Sequence, residues 1–100
     1  MKIMNKNLLE DCKREHSYLI SKITRFIAIV ETMQWTSPQD VRNTFGRHAD
    51  QVKGYWIIDI GGKKGARVLL VIQFDESVVI VQKIWTDHNE YMQWSKRVRI

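Results

Sequence analysis

The sequence has a single cysteine, an acidic complement smaller than its basic one, and no long hydrophobic run. Cys12 cannot form an internal disulfide, which favours a reducing compartment. The longest apolar runs, Phe26–Val30, Val68–Ile72 and Val78–Val81, are far shorter than the roughly 20 residues of a membrane helix. The first residues also turn polar too early for a secretory signal. These absences predict a cytoplasmic protein with no membrane association.

Motifs for metal and nucleotide chemistry are also missing. His16, His48 and His88 fall in separate predicted elements, and no second cysteine or paired spacing joins them. The glycine-rich segment 61–65 (GGKKG) lacks the spacing and the following Ser or Thr of a nucleotide-phosphate loop. We therefore expect no metal site and no cofactor, and we interpret the segment as a hairpin tip.

What the sequence does contain is a globular composition with a basic surplus. It has 100 residues, 44% of them hydrophobic, which predicts a single domain over residues 1–100. Its net charge is +5, with local basic groups at residues 63–67 and 96–99. A basic surplus favours nucleic acid as a partner, although a solvated basic surface accounts for the charge equally well.

Helical signals fill the first half of the chain. The segment Asn5–Arg14 predicts a short helix with Asn5 as its cap. From Ser17 to about Gln34, apolar residues recur mainly at spacings of three and four, the pattern of one helix face. Ser37 and Pro38 then open a short helix that runs through Phe45. The first four residues are either a short edge strand or a disordered start.

The second half changes to strand patterns. Segments 55–60, 67–74 and 78–85 are rich in β-branched and aromatic residues and are separated by short turns. Short links favour an antiparallel meander, and the uninterrupted apolar run Val68–Ile72 marks its central strand. A last helix begins near Asp87. The predicted fold is α+β, with N-terminal helices on one face of a small antiparallel sheet and a short C-terminal helix.

The hairpin between the last two strands decides which side chains meet. If Asp75–Ser77 is a three-residue loop, Arg67 lies opposite Trp85 and Leu69 lies opposite Lys83. Arg67, Lys83 and Trp85 then share one face at one end of the sheet, where His88 also emerges. A two-residue loop shifts the partners by one and separates the cluster.

Each residue of this group has a structural interpretation beside the functional one. Arg67 either pairs with a carboxylate, such as Asp59 or Glu90, or offers its planar fork to a phosphate. His88 is either a surface histidine or a proton-transfer group, since histidine exchanges protons near neutral pH. Tyr91 shares the helical face of His88 and either packs on the sheet or contacts a ligand.

The residues also carry a family resemblance over about residues 15–95. Trp35, then Pro38 with Asp40, then YWIIDIGGKKGARVLLVIQF and VVIVQKIWTDHNEYMQW resemble the HigB toxins of the RelE superfamily. The shared features are a Gly-Gly hairpin leading to Arg67 and a Thr-His-x-x-Tyr pattern ending the last strand. The chain departs from this pattern by Asp87, which stands between Thr86 and His88, and by about one extra residue between Gly62 and Arg67.

The resemblance implies a metal-independent endoribonuclease that cuts mRNA on the ribosome, as the toxin of a type II toxin–antitoxin system. It implies catalytic roles for Arg67, His88 and Tyr91, with Arg67 stabilising the phosphorane and His88 moving a proton. Implied partners are the ribosome, mRNA and a helix-turn-helix HigA-type antitoxin, through which the toxin associates indirectly with DNA. RNA contacts are expected from a further set of residues, Lys63, Lys64, Lys83 and Trp85.

Two other functions remain open at this point. Some toxins of the same superfamily inhibit gyrase instead of cutting RNA, and they would signal DNA damage while leaving mRNA intact. A non-catalytic subunit that binds RNA or completes a repressor complex would bind without cleavage. The joint presence of Arg67 and His88 favours the nuclease over both.

Overall fold

The computed structural model describes residues 1–61 and 65–100, in which four α-helices accompany a five-stranded sheet. No helix in these two ranges is long and apolar enough to cross a membrane. Three short 3₁₀ turns, at Ser17–Leu19, Gly46–His48 and Phe74–Glu76, join the regular elements. Those elements are, in chain order, β1 (Lys2–Met4), α1 (Lys6–Glu15), α2 (Ile20–Thr32), α3 (Pro38–Phe45), β2 (Ala49–Val52), β3 (Tyr55–Gly61), β4 (Ala66–Gln73), β5 (Val78–Trp85) and α4 (His88–Val98).

The three predicted N-terminal helices are present, with differences at their starts. The segment Ser17–Leu19 is a 3₁₀ turn, so α2 begins three residues later than its apolar pattern suggests. Asn5 precedes α1 in the left-handed conformation, and its amide donates to the Val81 carbonyl oxygen (3.2 Å) rather than capping the helix. Ser37 makes no side-chain cap either. Asp40 instead reaches back from α3 and accepts hydrogen bonds from the backbone and hydroxyl of Thr36.

The sheet has the strand order β1-β5-β4-β3-β2. Strands β3 to β5 form the expected antiparallel meander, β2 extends it by one strand, and β4 is central. The first residues form the edge strand that was one of two alternatives, and it pairs parallel to β5 through Lys2 opposite Val78. The sheet is therefore mixed, and the α+β prediction is confirmed.

Strand β2 was not predicted from the sequence. In Ala49–Val52 only Val52 is buried, so the segment shows neither an apolar run nor a clear alternation. It is a polar edge strand joined to β3 by Lys53 and Gly54, whose φ angles of 49° and 85° fit a two-residue hairpin turn. This strand begins beside the end of β3, because Ala49 pairs with Ile58.

The sheet has two unequal apolar faces. One face packs under α1, α2 and α3 and forms the main core, in which Ile23, Phe26 and Val30 of α2 are buried. The opposite face is smaller and is covered by α4, whose Tyr91 packs with Trp85 and Leu69. Burial on this second face is what fixes the position of α4.

Arg67 of β4 faces Trp85 of β5 as predicted, but the hairpin loop and the pairing next to it differ from the prediction. The hairpin pairs Gln73 with Val78, so its loop has four residues, not three, and the partners next to it are shifted by one. A bulge at Gln82 then inserts one extra residue into β5, between the pairs Leu70–Val81 and Leu69–Lys83. Beyond the bulge Arg67 faces Trp85, as predicted. The predicted loop length was wrong, and the bulge compensates for it.

Candidate functional site

A row of side chains crosses the sheet at the end where β3 and β5 finish. Asp59 of β3 pairs with Arg67 of β4, and Arg67 pairs with Trp85 of β5. Paired residues share a face, so these three side chains point to the α4 side. Ala49 pairs with Ile58, which brings the preceding residue, His48, level with Asp59. One line across the sheet thus contains three polar residues, His48, Asp59 and Arg67, followed by the aromatic Trp85.

Arg67 is the centre of this row. Its Nη1 donates to the Gly65 carbonyl oxygen (3.0 Å) and lies 3.2 Å from Nδ1 of His88. Its Cζ lies 4.5 Å from the centroid of the Tyr91 ring, a cation–π distance. Because a guanidinium only donates hydrogen bonds, Nδ1 of His88 is the acceptor, and the neutral ring carries its proton on Nε2. These three contacts therefore fix the orientation of the Arg67 guanidinium.

The carboxylate beside Arg67 is Asp59. Its Oδ2 lies 3.7 Å from Nη2 of Arg67, and its Oδ1 accepts a hydrogen bond from the Gly61 amide (2.8 Å). The structural interpretation of Arg67 is thus correct in naming Asp59 as a partner. The ion pair is long and leaves the Arg67 side chain 20% exposed, so the same side chain also remains open to a ligand.

His88 is held by the start of α4. Asp87 is the N-cap, and its carboxylate accepts a hydrogen bond from the Asn89 amide (2.8 Å). Such a cap satisfies one of the free amides of the first turn and fixes where the helix begins. The exposed His88 is the first residue of that helix, so the cap sets the position from which its ring reaches Arg67.

Under Arg67 lies a group of aromatic rings. Tyr91 packs against Trp85 with ring centroids 5.3 Å apart, and Trp94 lies 5.0 Å from Trp85. Trp85 is only 2% exposed, so the expectation that it contacts RNA needs correction, because α4 covers its ring. Tyr91 is 8% exposed with Arg67 over its ring, so it supports the guanidinium and leaves no ring face free for a base.

A cleft of about 300 Å³ opens beside this row. Arg67, Asp59 and Tyr91 form one part of its lining, and the 3₁₀ turn before β2 supplies the rest through Arg47 and His48. Sequence reasoning missed this second wall. The sequence analysis considered His48 only as a metal-ligand candidate. The signal that would have placed it beside the cleft is the Lys53-Gly54 turn, which defines β2.

Both carboxylates of the cleft lie beside an arginine. Asp59 neighbours Arg67, and Asp50 accepts a hydrogen bond from Nη2 of Arg99 (2.6 Å). The hydrogen bonds of Arg99 with Asp50 and then with Tyr91 raise the pKa of its guanidinium. Nε of Arg99 also donates to Ser95 of α4 (2.7 Å), so Arg99 links α4 to Asp50 of β2. With their charge balanced, the carboxylates do little to repel an anionic ligand.

The remaining predicted residues differ in how the structure treats them. Lys83 is exposed, and its Nζ lies 6.0 Å from the centroid of the Trp85 ring, on the face that the register predicted. Lys63 and Lys64 lie outside the described residues, so which of them faces a ligand stays a prediction. Among residues 1–61 and 65–100, no three His, Cys, Asp or Glu side chains are grouped closely enough to hold a metal ion.

Comparison with known proteins gives one family. The model of the HigB toxin family, described as the RelE-like toxic component of a toxin–antitoxin system, matches residues 20–94. This range includes α2, the candidate site and most of α4. No curated protein matches the chain. Since the family match covers most of the sequence, the chain belongs to the HigB toxin family and is the RelE-like toxin of a toxin–antitoxin system.

Proposed function

We propose that this toxin is a metal-independent endoribonuclease that cleaves mRNA on the ribosome and thereby inhibits translation. The observation that carries the proposal is the Arg67 guanidinium, held by Gly65, His88 and Tyr91 beside an open polar cleft. A planar cation with a fixed orientation suits a phosphate, and an adjacent histidine suits proton transfer.

The proposed reaction is a transesterification within the RNA. The ribose 2′-oxygen forms a bond to the neighbouring phosphorus while the bond from phosphorus to the 5′-oxygen breaks. The products are a 2′,3′-cyclic phosphate and a 5′-hydroxyl, so no water is consumed. Arg67 stabilises the negative charge that develops on the oxygens of the pentavalent phosphorane. His88 protonates the leaving 5′-oxygen from Nε2 in its imidazolium form, in which Nδ1 also carries a proton and the contact with Arg67 is released, so that a neutral ring remains after the transfer.

The other wall of the cleft supplies the second proton transfer. His48 stands level with Asp59, two strands away from Arg67, which corresponds to roughly 10 Å between backbones. His88 approaches Arg67 from the β5 side, so the two histidines flank it. An in-line displacement needs its base and its acid on opposite sides of the phosphate. His48 is therefore assigned to deprotonate the 2′-hydroxyl, and Arg47 to bind a neighbouring phosphate.

The proposed setting follows from the charge of the chain and from its family. A net charge of +5 favours docking on ribosomal RNA with a steep dependence on salt concentration. The proposed antitoxin is a helix-turn-helix protein of the HigA type, through which the toxin would associate with operator DNA. Both the substrate and the ribosome place this activity in the cytoplasm.

Mapping of mRNA 5′ ends after induction tests the proposal. The toxin should create new 5′-hydroxyl ends within translated reading frames, and His88→Ala should remove them. His16→Ala is the matched control, because this histidine lies at the end of α1 and contacts Tyr18, away from the cleft. Growth arrest with intact mRNA and a DNA-damage response would contradict the proposal and indicate a gyrase-type target.

A further inference from the structure

A second depression lies on the helix side of the same sheet end. It is a groove of about 380 Å³ bounded by α2, α3 and β3. Phe26, Ile29 and Phe45 supply much of its apolar floor, whereas Lys22 and Arg25 stand on its rim. Within the described part of the chain, neither Lys22 nor Arg25 takes part in an ion pair. The groove thus combines an apolar floor with two cations on one helix.

Two polar side chains of the groove, Thr44 and Asp59, are already engaged within the fold. Thr44 donates to the Asp40 carbonyl oxygen (3.0 Å) and accepts from the indole nitrogen of Trp35 (2.9 Å). Asp59, which also lines the groove, accepts from the Gly61 amide and lies beside Arg67. Apart from His48, which stands where the groove meets the cleft, recognition in the groove therefore depends on its apolar surface and on the two rim cations.

We propose that this groove receives a segment of the antitoxin. The segment would place apolar side chains on the floor and carboxylates beside Lys22 and Arg25. Both contributions are favourable, since the apolar contact removes surface from water and the charges are complementary. A toxin of this family has an antitoxin partner, so the occupant is a protein whose existence the family establishes.

The floor is less suited to RNA than to a protein segment. Phe45 stacks against Phe26 with centroids 6.0 Å apart and meets the edge of Trp35 at 5.7 Å. Phe26 itself is only 2% exposed. Recognition of single-stranded RNA commonly stacks a base on an exposed ring face, and these rings are occupied by one another. Aliphatic side chains of a peptide need no such face.

The groove and the cleft meet at the end of β3. His48 and Asp59 line both of them, so a segment seated on α2 and α3 continues directly toward Arg67. If the cleft binds RNA, the same segment would compete with the substrate. This consequence rests on the proposed function, whereas the docking of the antitoxin rests only on the groove and on the family.

Charge reversal on the rim tests the docking site. The double variant Lys22→Glu/Arg25→Glu should arrest growth when expressed alone but escape neutralisation by the cognate antitoxin, with purified-protein affinity lowered about tenfold or more. Arg14→Glu is the control, because this exposed arginine on α1 pairs only with Asp11 among the described residues. It should be neutralised normally. Unchanged affinity of the double variant, or weakened ribosome binding instead, would overturn the proposal.

A measurement on the unaltered toxin guards against a variant that fails to fold. Hydrogen exchange with and without the purified antitoxin should show new protection in α2 and in the segment from Thr44 to His48. Protection confined to α4 or β1 would refute the docking site. Neither readout involves RNA cleavage, so failure of the nuclease proposal and failure of this one give different results.

Discussion

Replacing Arg67 with lysine tests whether the site needs the planar shape of the guanidinium or only its positive charge. Lysine keeps the positive charge, but one ammonium cannot at once contact Gly65 and His88 and cover the Tyr91 ring as the guanidinium does. If the fork stabilises the transition state, Arg67→Lys should lower the cleavage rate by about tenfold or more. Arg67→Ala should lower it by about 10² to 10³, the usual effect of removing one such donor.

Loss of stability cannot produce that decrease. Arg67→Lys gives up a cation–π contact of about 1 kcal/mol and a hydrogen bond of similar size, so the free energy of unfolding should fall by about 2 kcal/mol. A domain of this size is stable by roughly 5–15 kcal/mol, and it therefore remains folded. Urea unfolding of the purified variant checks this value.

The chain provides a matched control for the same substitution. Arg42 lies 5.3 Å from the centroid of the Trp56 ring and donates to Gln51 (2.9 Å), so it makes the same kinds of contact away from the cleft. Arg42→Lys should lose comparable stability and keep the full single-turnover rate on programmed ribosomes. The reasoning is refuted if Arg67→Lys cleaves at the unaltered rate, or if Arg42→Lys slows cleavage equally.

Three further outcomes are expected. His48→Ala should lower the single-turnover cleavage rate by about tenfold or more and remove the acidic limb of the pH profile, in which the rate rises as the base loses its proton; an unchanged profile would exclude His48 as the base. Deleting Gln82 should remove the bulge, restore regular pairing of β4 with β5 and change the unfolding free energy by less than about 1 kcal/mol. Deleting Ile80 should instead move the Gln82 amide into the core and lower the unfolding free energy by about 2 kcal/mol or more. Urea unfolding of both variants measures these changes. Asp40, whose pKa is lowered by hydrogen bonds from the Thr36 backbone and hydroxyl, should stabilise the fold at neutral pH. Because the folded-state pKa lies below the ordinary value of 3.8, the stability advantage over Asp40→Asn should be complete above that pH and shrink as pH falls through and below it; an advantage independent of pH would contradict this reasoning.

Local periodicity predicted the elements that bury apolar surface regularly. The stripe on α2 and the apolar run of β4 were recognised because helix and strand periods are properties of the sequence itself. Strand β2 was missed because an edge strand with two polar, exposed residues has no such signal. Its pairing with β3 depends on tertiary contacts.

The candidate site was predicted in part for the same reason. Arg67 and His88 came from their positions at strand ends, and the structure brings them into contact. The burial of Trp85 depends on how α4 folds back over the sheet, which no local pattern encodes. The Gln82 bulge also escaped prediction, although it offset the error in loop length. His48 was overlooked because its neighbours in space come from later strands.

The residues of the groove come before those of the cleft along the chain, and this fixes the order in which a ribosome makes them. Every residue that lines the groove lies between Lys22 and Gly61, whereas the cleft also requires Arg67 and Tyr91. A ribosome makes the N-terminal part first, so each copy of the toxin acquires the residues of its proposed antitoxin surface before those of its proposed catalytic site. His88 and the helix that holds it are made later still. A newly made toxin therefore emerges with the residues of the proposed antitoxin site first and with those of the proposed catalytic site last.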